Sequence, residues 1–406
     1  MGWTILITNN TLHHRAGSEL YVRDIALGLR ERGHFPIAYS TELGDVAAEL
    51  RRATIPVVDN LESLAIVPDV IHGHHHLETV TASLRFPRTP VLSFCHGWLP
   101  WEEIPTTLPT VARYVAVDAT CRDRLLHEHG IAPERISLLL NFVDLRRFRP
   151  RGPLPERPGR ALVFGNTAGE PTCLAPIREA CARRGISVDV AGMSARVLDR
   201  PEEVLGEYDL VFAKARAAME AMAVGCAVVL CDRVGAGPLV TSERFTQLRE
   251  INFGIRALQL PLTAEGLGAQ IDRYDAGEAA RVRELMRDQG DLERRLDELL
   301  ALYASVLEEP RVPADPAHLA RSAAAYLRWL APRVKGFEAA REQARLLRED
   351  LGAETRAREE AERRLGRAAQ ELAVLRLAPG LRLQAALRRI PLIGTLARAV
   401  SRRIIG

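Results

Sequence analysis

Residues 209–232 read DLVFAKARAAMEAMAVGCAVVLCD. The apolar run 210–213 has the length of a buried strand, and Lys214 and Arg216 follow it at once. An Ala-rich helical stretch comes next, carrying one carboxylate, Glu220, and closed by Gly225. A second apolar run then ends at Asp232. Strand, helix and strand in this order make a βαβ unit with parallel strands. Open parallel sheets bind ligands at the carboxyl ends of their strands, which is where the two cations stand.

The same alternation runs outward from this unit. TILIT (4–8), FPIAYS (35–40), DVIHGHH (69–75), VLSFCHG (91–97), YVAVD (114–118) and ISLLLN (136–141) have strand character. Helical stretches lie between them, notably 18–32, with Ser18 as its N-cap, and 119–129. RFRPRGPLPERPGR (147–160) is dense in Pro, Gly and Arg and reads as a linker. ALVFG (161–165) and ISVDVAG (186–192) resume the pattern. The expected fold is α/β: a doubly wound domain over 1–150, a smaller one over 151–262, and a helical segment over 263–334.

Bulk composition narrows the class. At about 150 residues per domain, 406 residues predict two or three domains. A net charge of +3 excludes a polycation. Lys214 and Lys335 are the only lysines among 55 basic residues, so a persisting Lys suggests a need for an ammonium group. The six Cys form no CxxC and read as reduced thiols of a cytoplasmic protein. MGWTILITNN lacks the basic start and long apolar stretch of a signal peptide. No apolar run reaches the roughly 18 residues of a membrane span.

From 337 to 375 a heptad runs without a slip. Its seam positions are Phe337, Ala340, Ala344, Leu347, Leu351, Glu354, Arg358, Ala361, Leu365, Ala368, Leu372 and Leu375. Glu354 and Arg358 are the two polar exceptions, and the flanks are rich in Arg and Glu. A coiled coil over 335–375, with a homodimer as one outcome, is expected; a solvated single helix is the alternative. Residues 376–406 carry seven Arg and no acidic residue. Ile393, Leu396, Val400 and Ile404 share one helical face there. Such a basic amphipathic tail suits either an anionic membrane surface or the protein's own core. Without interleaved aromatic residues it gives no reason to expect nucleic-acid binding.

Three strand ends hold further candidates. Gly17 and Ser18 open a helix, a potential anion site. His72, His74, His75 and His76 crowd one strand end, but neighbouring strand residues point to opposite faces, so the row does not converge on one metal. No metal site is expected. His96 stands beside Gly97 at another strand end.

Together these stretches resemble family-4 glycosyltransferases of the GT-B fold. RAGSELYVRDIALGLRERGH (15–34) is similar to the family's opening loop and helix. DVIHGHHH, SFCHG and YVAVDATCRDRLLHEHGIAPERISLLLNFVDLRRFRP resemble three further signatures, in order. MEAMAVGCAVVLCD resembles the Glu-bearing helix and the strand after it. The resemblance covers residues 1 to about 310 and implies two Rossmann-like domains facing across a cleft. A nucleotide sugar, UDP- or GDP-linked, would sit mainly on the second, and the acceptor on the first. It further implies a metal-independent, retaining transfer with no cofactor. Lys214 and Arg216 would stabilise the leaving diphosphate, Gly17 would approach it, and Gly165 and Asn166 would face the donor. Glu220 would accept from the ribose hydroxyls, and His96 would contact the sugar. Arg216 and Glu220, four apart on a helix, also suit a plain ion pair.

The sequence departs from the family in places. Its usual pair of glutamates is incomplete, since the first position falls on Phe212. TAGEPTCLAP (167–176) stands where a Lys-Gly signature is usual. The leading expectation is therefore a diverged glycosyltransferase acting on a glycan or lipid-linked acceptor in cell-surface polysaccharide synthesis. It would be cytoplasmic and peripheral at the inner membrane face. A scaffold that has lost turnover, and another sugar-nucleotide enzyme such as an epimerase, are the alternatives.

Overall fold

The structure is a computed structural model that describes residues 2–166, 168, 171–192, 198–310, 315–377 and 380. The expected tail, 376–406, therefore lies almost wholly outside the described residues. The chain divides into two compact units, Met1–Ala324 and Ala325–Gly406.

The first unit holds two sheets. One contains β1 (Thr4–Thr8), β2 (Phe35–Tyr39), β3 (Val57–Val58), β4 (Val70–His74), β5 (Val91–Cys95), β6 (Val111–Ala116) and β7 (Ile136–Leu138). Their order is β3-β2-β1-β4-β5-β6-β7, and every pairing is parallel. The other contains β8 (Arg160–Phe164), β9 (Ser187–Ala191), β10 (Leu210–Ala213), β11 (Ala227–Asp232) and β12 (Gly235–Leu239). Their order is β12-β11-β10-β8-β9, with only the β11–β12 pairing antiparallel. Both sheets are doubly wound, and the strand order reverses beside β1 in one and beside β8 in the other. Those reversals open crevices at the carboxyl ends of the strands.

Most central strands are buried along their length, as parallel sheets covered on both faces require. The sequence shows no sign of β3, which is two residues long, or of β12. The latter reads GAGPL, poor in strand formers, and its Pro238 is tolerated because β12 is an edge strand. The first long helix is Gly17–Glu31. Its N-cap is Ala16, not the expected Ser18, whose hydroxyl is turned to Glu19 Oε2 at 2.9 Å.

The chain crosses between the sheets twice, and the crossings lie side by side. Val143 N–H donates to Gly290 O at 2.7 Å, and Leu292 N–H to Val143 O at 3.1 Å. Arg249, almost fully buried, donates to the carbonyls of Asn141 and Gln289 and ties both crossings to the second sheet. After the return, helix Leu292–Glu308 packs on the first sheet, burying Leu292, Leu296, Leu299, Tyr303 and Val306 in its core. Gly28 makes this approach possible, because a Cβ there would stand 2.3 Å from Leu296 Cδ1. One helix, Pro316–Leu377, then continues without a break, so no backbone boundary falls at the expected 334/335 division.

Leu296 has no accessible surface. Leu296→Ala is expected to cost about 2–5 kcal/mol, through lost burial and a residual cavity. Urea denaturation checks this, and an unchanged midpoint would contradict the packing of the returning helix on the first sheet.

Candidate functional site

A cavity of about 290 Å³ lies where the carboxyl ends of the two sheets meet. Gly17, Gly165, Asn166, Lys214, Arg216 and Glu220 all line it. Six of the seven residues singled out in the sequence are thus brought together. His96 is the exception and does not line this cavity.

Two helices start at the cavity wall. Gly17–Glu31 begins after the loop that leaves β1, and Ala215–Val224 begins at the end of β10. Neither N-cap, Ala16 or Lys214, supplies a side-chain hydrogen bond to its helix. The first-turn N–H groups of a helix lack intrahelical partners, and they carry a partial positive charge. Two such ends, one from each sheet, therefore face one space. Ala215 takes φ 49° in the left-handed region, an unusual conformation for a residue with a Cβ, and its N–H donates to Phe253 O at 2.9 Å.

Charged side chains cross the cleft as a network. Arg216 Nε donates to Glu220 Oε1 at 2.7 Å, and its Nη2 to Asp24 Oδ2 at 2.5 Å. Asp24 Oδ1 also accepts from Arg23 at 2.6 Å, with Arg147 at 3.7 Å. Arg147 further pairs with Glu202 at 2.9 Å, and both Arg15 and Arg23 reach Glu49. Burial opposes ionisation of Asp24, but Arg216 and Arg23 outweigh it and hold the carboxyl below its ordinary 3.8. At Glu220 burial wins over Arg216, and the carboxyl titrates above its ordinary 4.5. Burial likewise works against the Arg216 guanidinium, yet Asp24 and Glu220 leave it held more firmly as a cation.

The four guanidinium groups of this network face four carboxylates, so the cleft has little net charge of its own. Lys214 stands apart from the network. Its Nζ lies 3.1 Å from Asp232 Oδ2, and its side chain is 36% exposed, more than any of the four arginines. The ordinary ion pair between Arg216 and Glu220 does form. Glu220 Oε2 makes no hydrogen bond among the described residues.

The histidines form a second cluster. His72 and His74 share one face of β4, and His96, just beyond β5, joins them. His96 Nε2 and His74 Nδ1 are 2.6 Å apart, and His72 Nδ1 meets the Tyr303 hydroxyl. The His72 ring stacks on Phe94 at 3.8 Å between centroids. His75 instead faces Glu103 at 3.5 Å, and His76 packs edge-on against Trp101. Among the described residues, no group of three or more His, Cys, Asp or Glu side chains is arranged to hold a metal ion. Burial pushes the His96 ring down from its ordinary 6.5 to about 4. Burial drives His72 and His74 well below 6.5 as well.

Sequence reasoning missed Asp24, Arg23, Arg15 and Arg147. Arg23 and Asp24 fall between apolar positions of YVRDIAL, on a helix buried on most sides, and a charged pair in that setting was the available signal.

Comparison with known proteins bears on the fold. The sequence model of Glycosyltransferase Family 4 matches residues 15–147. The chain is similar in structure to a glycosyltransferase from Rickettsia africae ESF-5, with a TM-score of 0.56, 15% identity, and coverage of 76% of this chain and 100% of that one. It is also similar to Anabaena Alr3699/HepE, solved in complex with UDP and glucose. Here the TM-score is 0.54 and identity 15%, over 75% of this chain and 100% of that one. No curated protein matches the sequence. The fold is GT-B: two Rossmann-like domains with a long C-terminal helix.

The histidine cluster yields a pH prediction. Between 6.5 and about 4 the unfolded chain protonates His96 while the folded chain does not. The unfolded state then binds more protons, so this group's contribution is complete above 6.5 and is lost as pH falls. Relative to His96→Gln, the parent protein is expected to lose stability as pH drops through that window. Parallel urea midpoints for the two proteins would contradict the burial of the ring.

Proposed function

We propose that the chain is a metal-independent, retaining glycosyltransferase that binds a nucleotide sugar in the cavity between the two sheets. The observation that carries this reading is the pair of helix starts without a side-chain cap, one from each sheet, at one cavity wall. A diphosphate fits that arrangement, since backbone N–H groups and helix dipoles stabilise developing negative charge in a water-poor site. Lys214, the most exposed cation there, supplies a mobile ammonium and exchanges Asp232 for a phosphate oxygen. Glu220 keeps one carboxylate oxygen on Arg216 and offers the other to the ribose hydroxyls. Gly165 and Asn166 close the donor side.

In the reaction, the bond from the anomeric carbon to the diphosphate breaks. An acceptor hydroxyl forms a new bond on the same face, and its proton leaves with the diphosphate. His96, expected from the resemblance to contact the sugar, lies outside this cavity with its Nε2 on His74, and takes no part in this reading. The acceptor is a glycan or lipid-linked glycan of the cell surface. Among the described residues no helix is long and apolar enough to cross a membrane. The basic tail, 376–406, would instead hold the enzyme against the anionic inner face, with each basic residue worth about 1 kcal/mol near such a surface.

Calorimetry against UDP, GDP and their sugars tests the donor site. UDP is the first choice because of the likeness to the Anabaena protein solved with it. Lys214→Ala is expected to weaken binding about 10- to 100-fold, the worth of one charge-assisted hydrogen bond. A Cβ at Gly17 would meet no atom within 4 Å, so Gly17→Leu should fill ligand space and abolish binding with the thermal midpoint unchanged. Failure of every nucleotide to bind the parent protein would favour a scaffold without turnover. The tail is tested separately: deletion of 376–406 should release the protein from phosphatidylserine vesicles, and equal binding of both forms would remove the membrane role.

A further inference from the structure

Helix Pro316–Leu377 leaves its heptad seam uncovered. Leu347, Leu351, Leu365 and Leu372 are 61%, 64%, 76% and 57% exposed. An exposed apolar stripe of this length on a helix calls for a partner. The two polar seam residues, Glu354 and Arg358, occupy adjacent layers in the middle of that stripe.

We infer that this stripe is a self-association surface on which a second copy of the chain binds antiparallel, centred on position 356. The charges choose the direction. Parallel pairing in register sets each seam residue against itself. Glu354 then faces Glu354 of the partner subunit, and Arg358 faces Arg358 of the partner subunit. It also gives the flanking charges Arg348, Asp350, Glu362 and Arg364 no opposite partner: Asp350 meets a Thr, and Arg364 an Ala.

Reversing one helix changes every layer. Glu354 meets the partner's Arg358, and by symmetry Arg358 meets the partner's Glu354. Leu351 packs on the partner's Ala361 and Ala340 on the partner's Leu372, while Leu347 meets the partner's Leu365 and Ala344 the partner's Ala368. The flanks now run like against like in heptad position. Arg348 falls beside the partner's Glu362, and Asp350 beside the partner's Arg364. Each of these three contacts occurs twice, and no like charges meet at these positions. Within the single helix, Arg348, Asp350 and Glu354 make no ion pair among the described residues, whereas Arg358 and Arg364 hold Glu362 and Glu360 of their own helix at 3.0 and 2.7 Å. Buried opposite charges in a seam are a device for fixing direction and register.

The test uses the full chain. All six native Cys are buried, so an introduced surface thiol labels selectively. Gly336 is exposed and has open space around it, which makes Gly336→Cys a suitable spin-label site. Light scattering should give twice the monomer mass. Electron–electron distance measurement should give about 60 Å, since the two labels stand about forty residues apart along the axis at about 1.5 Å each. Parallel pairing would put them within about 20 Å, close to the interaxial spacing. Glu354→Arg should weaken the dimer by at least about tenfold, and Glu354→Arg with Arg358→Glu should restore it. A monomeric mass at all concentrations, a short label distance, or a double variant no tighter than the single one would each overturn the inference.

Discussion

Asp24 belongs to the first sheet's opening helix and Arg216 to the second sheet's cleft helix, and their contact holds the two lobes in register. A carboxylate this deeply buried is tolerated only because guanidinium groups surround it. Exchanging a buried ion pair for apolar groups often costs nothing, whereas removing one partner leaves an uncompensated charge worth about 3–5 kcal/mol. The pair thus adds little to stability in the ordinary sense. Its contribution is geometric: with the contacts of Asn252 to Val117 and Arg256 to Asp123, it joins the two lobes across the cleft beside both helix starts.

That placement explains the electrostatics of the cavity. Arginine is abundant at the walls, yet each guanidinium there already has a carboxylate within reach. Under the proposed donor reading, a diphosphate would therefore meet an occupied network rather than an open cationic trap. In that reading, backbone N–H groups and the exposed ammonium of Lys214 are the donors left to it without breaking the contact between the lobes. The scarcity of lysine in the chain gives this position added meaning, since a flexible stem can leave Asp232 and reach a ligand more readily than an anchored guanidinium.

The fold was legible because parallel strands buried on both faces leave apolar runs, and because Gly225 marks a helix end. β3 and β12 were illegible for the opposite reason: one is too short for a period, and the other pairs through backbone despite its Gly and Pro. Gly17, Lys214, Arg216 and Glu220 could be placed from their strand ends, where local order predicts position. Asp24 and Arg147 could not, because their roles come from residues far away in the chain. The convergence of His72 and His74 with His96 is a middle case. Alternation along the strand foretold which rings share a face, but the pairing of β4 with β5 supplied the third.

The returning helix Leu292–Glu308 gives the first lobe a discontinuous sequence. Its core is written in two pieces, one running from the start of the chain to Phe142 and one from the far side of the second lobe. Lobe exchange with another chain of this fold is therefore not a single crossover here. A chimaera cut at the Pro-rich linker would carry a foreign groove at position 28 against a native Leu296. Only a graft that moves both pieces together preserves the fit of Leu296 over Gly28.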